Sequence, residues 1–70
     1  MIAQHEILDR MVECEFAKLG CRFTTRLGDV FEFRRGSFQN GNRRYILGVD
    51  QKGNQHCIPR DVIIEFDLVT

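Results

Sequence analysis

The sequence predicts an α+β domain in which one N-terminal helix packs on a small, strongly bent, five-stranded antiparallel β-barrel. Three observations predict it. Apolar residues recur at helical spacing before residue 20 and at every second position after it. Gly28-Asp29 leads into an alternating segment with Phe31 and Phe33, and Ile58-Pro59-Arg60-Asp61 leads into another with Val62, Ile64, Phe66 and Leu68. Turn-forming residues cut 21–68 into pieces too short for a wide sheet. A closed barrel leaves no unpaired strand edges, which an open five-stranded sheet would expose.

The helix is expected over 3–18. Leu8, Met11, Val12, Phe16 and Leu19 fall at i, i+3, i+4, i+8 and i+11, and Ile7 and Cys14 widen that stripe. Glu6 and Asp9 near its start and Lys18 near its end complement the helix dipole. Gly20 stands where a left-handed C-terminal cap is expected. The barrel is expected over 21–68, and the two parts form one domain over 1–70. Cys21, Phe23 and Thr25 alternate with Arg22, Thr24 and Arg26 in a first strand, which Leu27-Gly28-Asp29 ends. After the strand of Phe31 and Phe33, Gly-Ser-Phe-Gln-Asn-Gly-Asn at 36–42 is the richest turn chemistry in the chain. The third strand, 43–50, carries Tyr45, Leu47 and Val49 on one face and Arg44 and Ile46 on the other. Gly48 inside it permits a bend or a close backbone approach. Residues 50–54 read as a hairpin loop and 55–58 as a short fourth strand, which Pro59 ends by lacking an N–H. The last strand is expected over 61–68. The expected core is Leu8, Met11, Phe16, Phe23, Phe31, Phe33, Leu47, Val49, Ile58, Val62, Ile64 and Phe66.

Seventy residues bury only about 60% of their unfolded surface, so a deep catalytic cleft and a second domain do not fit. Oligomerisation through the N-terminal helix is one way for so small a chain to gain burial. The zero formal net charge conceals an asymmetry. Residues 21–60 carry eight cations against three carboxylates, a balance of +5, between ends of −2 and −3. Arg dominates those cations, and its planar fork suits phosphate or carboxylate. Three cysteines without a C-x-x-C pair do not make a disulfide framework, so reduced thiols and a cytoplasmic setting are expected. No leader pattern or long apolar run is visible, so neither secretion nor a membrane span is expected.

Three small-barrel families are resembled. Gly28-Asp29 before Val30-Phe31-Glu32-Phe33 looks like the diverging-turn strand of the Src-homology-type barrel. Ile58-Pro59-Arg60-Asp61-Val62 looks like its short 3₁₀ turn and last strand. This resemblance covers most of 21–66 and implies a Src-homology-like β-barrel. The chain has no tryptophan and no tyrosine cluster, so proline-rich ligands do not carry over. Gly28 through Phe38 is similar to the KOW motif of transcription and ribosomal proteins, with Ile46, Val49 and Asp50 matching its next strand. Gly41 falls one residue late, and the motif's next glycine has no counterpart at Arg43-Arg44. Sm-like proteins share an N-terminal helix and five strands, and their last strands resemble Ile58–Phe66.

The chemistry expected from this chain is binding. Arg34-Arg35 and Arg43-Arg44 flank loop 36–42, Phe38 lies in the loop, Tyr45 follows, and Lys52 lies in the next loop. Guanidiniums for phosphate and rings for base stacking are what nucleic acid requires. The expected nucleic-acid-binding set is therefore Arg34, Arg35, Phe38, Arg43, Arg44, Tyr45 and Lys52. In the opposing reading, Phe38 folds back as a core plug and the arginines are solvated. The alternative partner is a protein, held by an acidic patch on the arginines or by a groove around the N-terminal helix. No catalysis is expected, because adjacent His56 and Cys57 point to opposite faces of a strand. Nor is a metal: Cys14, Cys21, His5 and His56 lack a short ligand pair. The scattered glycines form no phosphate or dinucleotide loop, so no cofactor is expected.

Overall fold

The computed structural model describes residues 4–41 and 44–69. A helix, α1 (Gln4–Ala17), is followed by strands β1 (Gly20–Thr25), β2 (Val30–Phe33), β3 (Tyr45–Val49), β4 (Gln55–Pro59) and β5 (Ile63–Val69), with a 3₁₀ turn (Arg60–Val62) before β5. The fold class is α+β. The strands form two antiparallel sheets, β2-β1-β5 and the hairpin β3-β4. Neither closes into a barrel. Two isolated bridges, Phe33 with Asp50 and Gln39 with Leu47, join the sheets.

Between those bridges the chain leaves the ladder. Arg34 N–H still donates to Val49 O at 2.8 Å. Ser37 Oγ then takes the place of a strand neighbour, accepting from Val49 N–H at 3.2 Å and donating to Arg34 O at 2.8 Å. This detour sends Phe38 inward, so β2 and β3 are not joined by a simple hairpin.

The end of α1 departs from the expected cap. Lys18, with φ 56°, takes the left-handed position, and Leu19 N–H donates to Cys14 O at 3.1 Å. That is a Schellman ending with a lysine where glycine is usual. Gly20 has a different role as the first residue of β1. A Cβ there would stand 3.0 Å from Phe33 O and 3.4 Å from Val69 O. Two strands therefore close on Gly20 from either side.

The core consists of Ile7, Met11 and Cys14 from α1 with Cys21, Phe23, Phe33, Phe38, Ile46, Ile63 and Phe66. Phe23 is its centre. Its ring lies 5.1 Å from Phe33 edge-on, and stacks at 5.3 Å from Phe31 and 5.9 Å from Phe66. Such pairs add about 0.5–1.5 kcal/mol each beyond burial. Gly48 lets the ring of Phe33 lie directly on β3, since a Cβ there would overlap Phe33 Cδ2. Of Gly48's two expected roles, close approach is the one observed.

Three expected core residues are outside. Leu8, Phe16 and Leu47 are exposed, because α1 turns Ile7, Met11 and Cys14 toward β5 and β3 turns Ile46 and Gly48 inward. Val62 and Ile64 are half-buried, and Ile63 takes the core position. The 3₁₀ turn delays β5 to Ile63, and a register shift between Thr24 and Thr25 lets Ile63 and Phe66 face inward three residues apart.

Candidate binding surfaces

The structure divides the arginine-rich segment instead of gathering it. Arg34 sits beside the C-terminal end of β3, where its guanidinium donates to Gln51 O at 3.1 Å. Lys52 is exposed in the same loop. Arg35 is exposed, with its stem against Gly20. Arg44 and Tyr45 lie at the other end of β3. There Tyr45 pairs with Pro59, Arg60 N–H donates to Arg44 O at 2.7 Å, and the Arg60 guanidinium donates to Asn40 Oδ1 at 3.0 Å. Five strand residues separate these ends, about 17 Å. Arg43 is outside the described residues. Phe38 is 3% exposed and packs edge-on against Phe66 at 5.4 Å, so it is a core residue and presents no ring to a base. The single cationic rim with neighbouring rings is thus replaced by two separate cationic ends. Detour 34–38 is the cause, because it holds Arg34 at Val49 while the chain runs on to start β3 at the far end.

The loop at the Arg34 end is braced by one carboxylate. Asp50 Oδ1 accepts from the N–H groups of Lys52 and Asn54, both at 2.9 Å, and Oδ2 lies 2.8 Å from His56 Nε2. The His56 bond, then the Asn54 amide, hold the Asp50 carboxyl well below the usual carboxylate range. The His56 ring packs edge-on to Phe31 at 5.2 Å and stacks on Phe33 at 6.0 Å. Cys57 is exposed opposite Leu47 on the other face. Histidine and thiol therefore diverge, and the His56–Asp50 pair serves as a bridge between hairpin and core.

The outer face of the three-stranded sheet is not basic. Arg22 stands between Glu32 and Asp67 in register, with its Nε 3.6 Å from Glu32, and Glu65 faces Thr24 beside it. Arg10 from α1 reaches Asp67 at 3.2 Å and Phe66 O at 2.8 Å. Among the described residues no group of three or more His, Cys, Asp or Glu side chains could hold a metal ion, and no helix is long and apolar enough to cross a membrane.

Among the described residues, the most exposed large apolar side chain is on α1, followed by Leu27 in the turn after β1. Phe16 is 89% exposed, Val12 63% and Leu8 39%. At i, i+4 and i+8 they form one stripe, turned away from the buried Ile7, Met11 and Cys14. No family model matches this chain, and searches of curated proteins and of solved structures find no match. The helical spacing in the sequence contains all three residues, but Leu8 and Phe16 were expected in the core. The stripe's signal was excess: Ile7, Leu8, Met11, Val12, Cys14 and Phe16 span more of the helix than one sheet can cover.

The remaining thiols are interior. Cys14 and Cys21 are buried, and Cys14 Sγ donates to Leu19 O at 3.2 Å. The Cys21 hydrogen bond with Cys14, followed by burial, pushes the Cys21 thiol up, which favours its neutral form.

Proposed function

We propose that the protein is a non-enzymatic binding module that docks a protein partner on the outward face of α1. The observation carrying this reading is the exposed stripe of Leu8, Val12 and Phe16 on a helix whose other face already fills the core. Scattered apolar residues on a surface are ordinary, but a contiguous row that includes a bare phenylalanine marks an interaction site. Burying it on a partner releases about 25 cal/mol per Å².

Nucleic acid is the second reading, supported by exposed Arg34, Arg35 and Lys52. At the Arg34 end it would be a charge-only contact, since Phe38 is enclosed and exposed Tyr45 lies at the other end of β3. We also propose that the two sheets form an open relative of the Src-homology-type barrel. The order β5-β1-β2, the Phe33–Asp50 and Gln39–Leu47 bridges, the β3-β4 hairpin and the 3₁₀ turn before β5 support that reading. The buried reduced thiols support an intracellular, cytoplasmic setting.

Site-specific photocrosslinking in cells separates the two binding readings. A photoreactive phenylalanine analogue at position 16 is expected to capture one discrete protein band, and Val12→Asp is expected to abolish it. The same group at position 52 is expected to capture nothing. Crosslinks to RNA or DNA from position 52, with none to protein from position 16, reverse the order of the readings.

A further inference from the structure

The charges around the helix stripe specify its occupant. Each i to i+4 step on an α-helix advances about 40°, so Leu8, Val12 and Phe16 occupy an arc of about 80° over a length of about 12 Å. By the same geometry Glu15 flanks one side of the arc, and Asp9 and Glu13 flank the other. All three are exposed. Glu15 accepts from Asn40 N–H at 3.0 Å, which fixes its position and leaves its charge in place. The one arginine of α1, Arg10, is turned toward β5, where it holds Asp67 and Phe66 O. An apolar row is thus bordered by carboxylates on both sides, with Arg10 drawn away from it, while exposed His5 falls within its arc and exposed Lys18 follows the last turn.

Resting on the protein-docking reading above, we infer that this face receives a basic amphipathic helix from another protein. Its apolar residues at i, i+3 or i+4 and i+7 would cover Leu8, Val12 and Phe16, and its flanking Lys or Arg would meet Asp9, Glu13 and Glu15. Two copies of α1 packed face to face would bring carboxylates against carboxylates, which argues against a second copy of this chain as occupant. Anionic lipid surfaces are repelled for the same reason.

The test uses the whole protein and three synthetic helical peptides of about five turns with one leucine face. Their polar faces are lysine, glutamate or glutamine, and binding is read by fluorescence anisotropy at physiological ionic strength. The lysine peptide is expected to bind, and the glutamate peptide is not. Val12→Ser with Phe16→Ser is expected to weaken the lysine peptide about tenfold or more, as loss of a central aromatic anchor does. Asp9→Lys with Glu13→Lys is expected to shift preference to the glutamate peptide. Circular dichroism establishes that each variant is folded, and all four positions are exposed. Equal binding of the three peptides, lost in Phe16→Ser, overturns the basic partner and leaves the docking face standing. Lysine-peptide binding that ignores Val12→Ser with Phe16→Ser overturns the docking face itself. Self-association in sedimentation, or binding to phosphatidylcholine vesicles, that disappears in Phe16→Ser assigns the stripe to a second copy or to lipid and overturns the inference.

Discussion

The two faces of α1 have similar composition and opposite fates. Ile7, Met11 and Cys14 are among the most enclosed residues of the protein, whereas Leu8, Val12 and Phe16, each one or two positions further along, lie in solvent. Hydrophobicity does not separate the two sets. What separates them is the rotation of the helix about its axis, fixed by the Arg10 contacts to β5 at one point and by the Schellman ending at Lys18 and Leu19 at another. Apolar character makes a residue available for burial, and neighbouring elements decide whether burial happens inside the chain or awaits a partner.

The strongest challenge to this contrast is Met11→Ala, expected to lower stability by about 2–5 kcal/mol as enclosed methionines do. Chemical denaturation measures it, and a loss below that of Val12→Ala would show that the helix is rotated the other way. Gly48→Ala tests the sheet surface on which the inner face rests. Its Cβ meets the ring of Phe33, so a loss of about 1–3 kcal/mol or more is expected from overpacking. Unchanged thermal stability would mean that Phe33 does not lie on β3.

Acid is expected to act at the far end of the core, through Asp50. Its folded carboxyl resists protonation while the unfolded one titrates near its ordinary value of 3.8. The contribution is therefore complete above that value and is lost as pH falls below it. Melting temperatures followed from pH 6 to pH 2 should decline more in the wild type than in Asp50→Asn, and parallel curves would remove the His56–Asp50 brace from the account. Lys18→Gly sharpens the contrast in the other direction. Relieving the left-handed lysine is expected to stabilise by about 0.5–1 kcal/mol, read as a higher denaturation midpoint. Phe16→Ser is the smallest effect, expected within about 0.5 kcal/mol of zero because an exposed side chain loses nothing on unfolding. A larger destabilisation would place Phe16 in the core after all.

The same local ambiguity recurs elsewhere. Ile46 and Leu47 are adjacent in β3, and only Ile46 is enclosed, because Gly48 shares its face and admits Phe33. Ile63 and Ile64 are adjacent in β5, and only Ile63 is enclosed, because the 3₁₀ turn and the register shift set the phase. Legible in advance were the features that a few consecutive residues impose: one helix and five strands, the turn at Gly28-Asp29, the loop at 50–54 and the break at Pro59. The arginine surface was not legible. Its layout depends on how 34–44 crosses between sheets, and Ser37 and Phe38 settle that crossing through contacts with Val49 and Phe66, far away in the chain.

Periodicity and turn chemistry established which elements form and where they stop, since backbone preference and side-chain spacing act within a few residues. Assembly alone chose the phase of α1, β3 and β5, the inward turn of Phe38 and the separation of Arg34 from Arg44. Those outcomes depend on which surfaces meet, and side chains equal in hydrophobicity carry no preference between meeting a neighbouring strand and remaining in water.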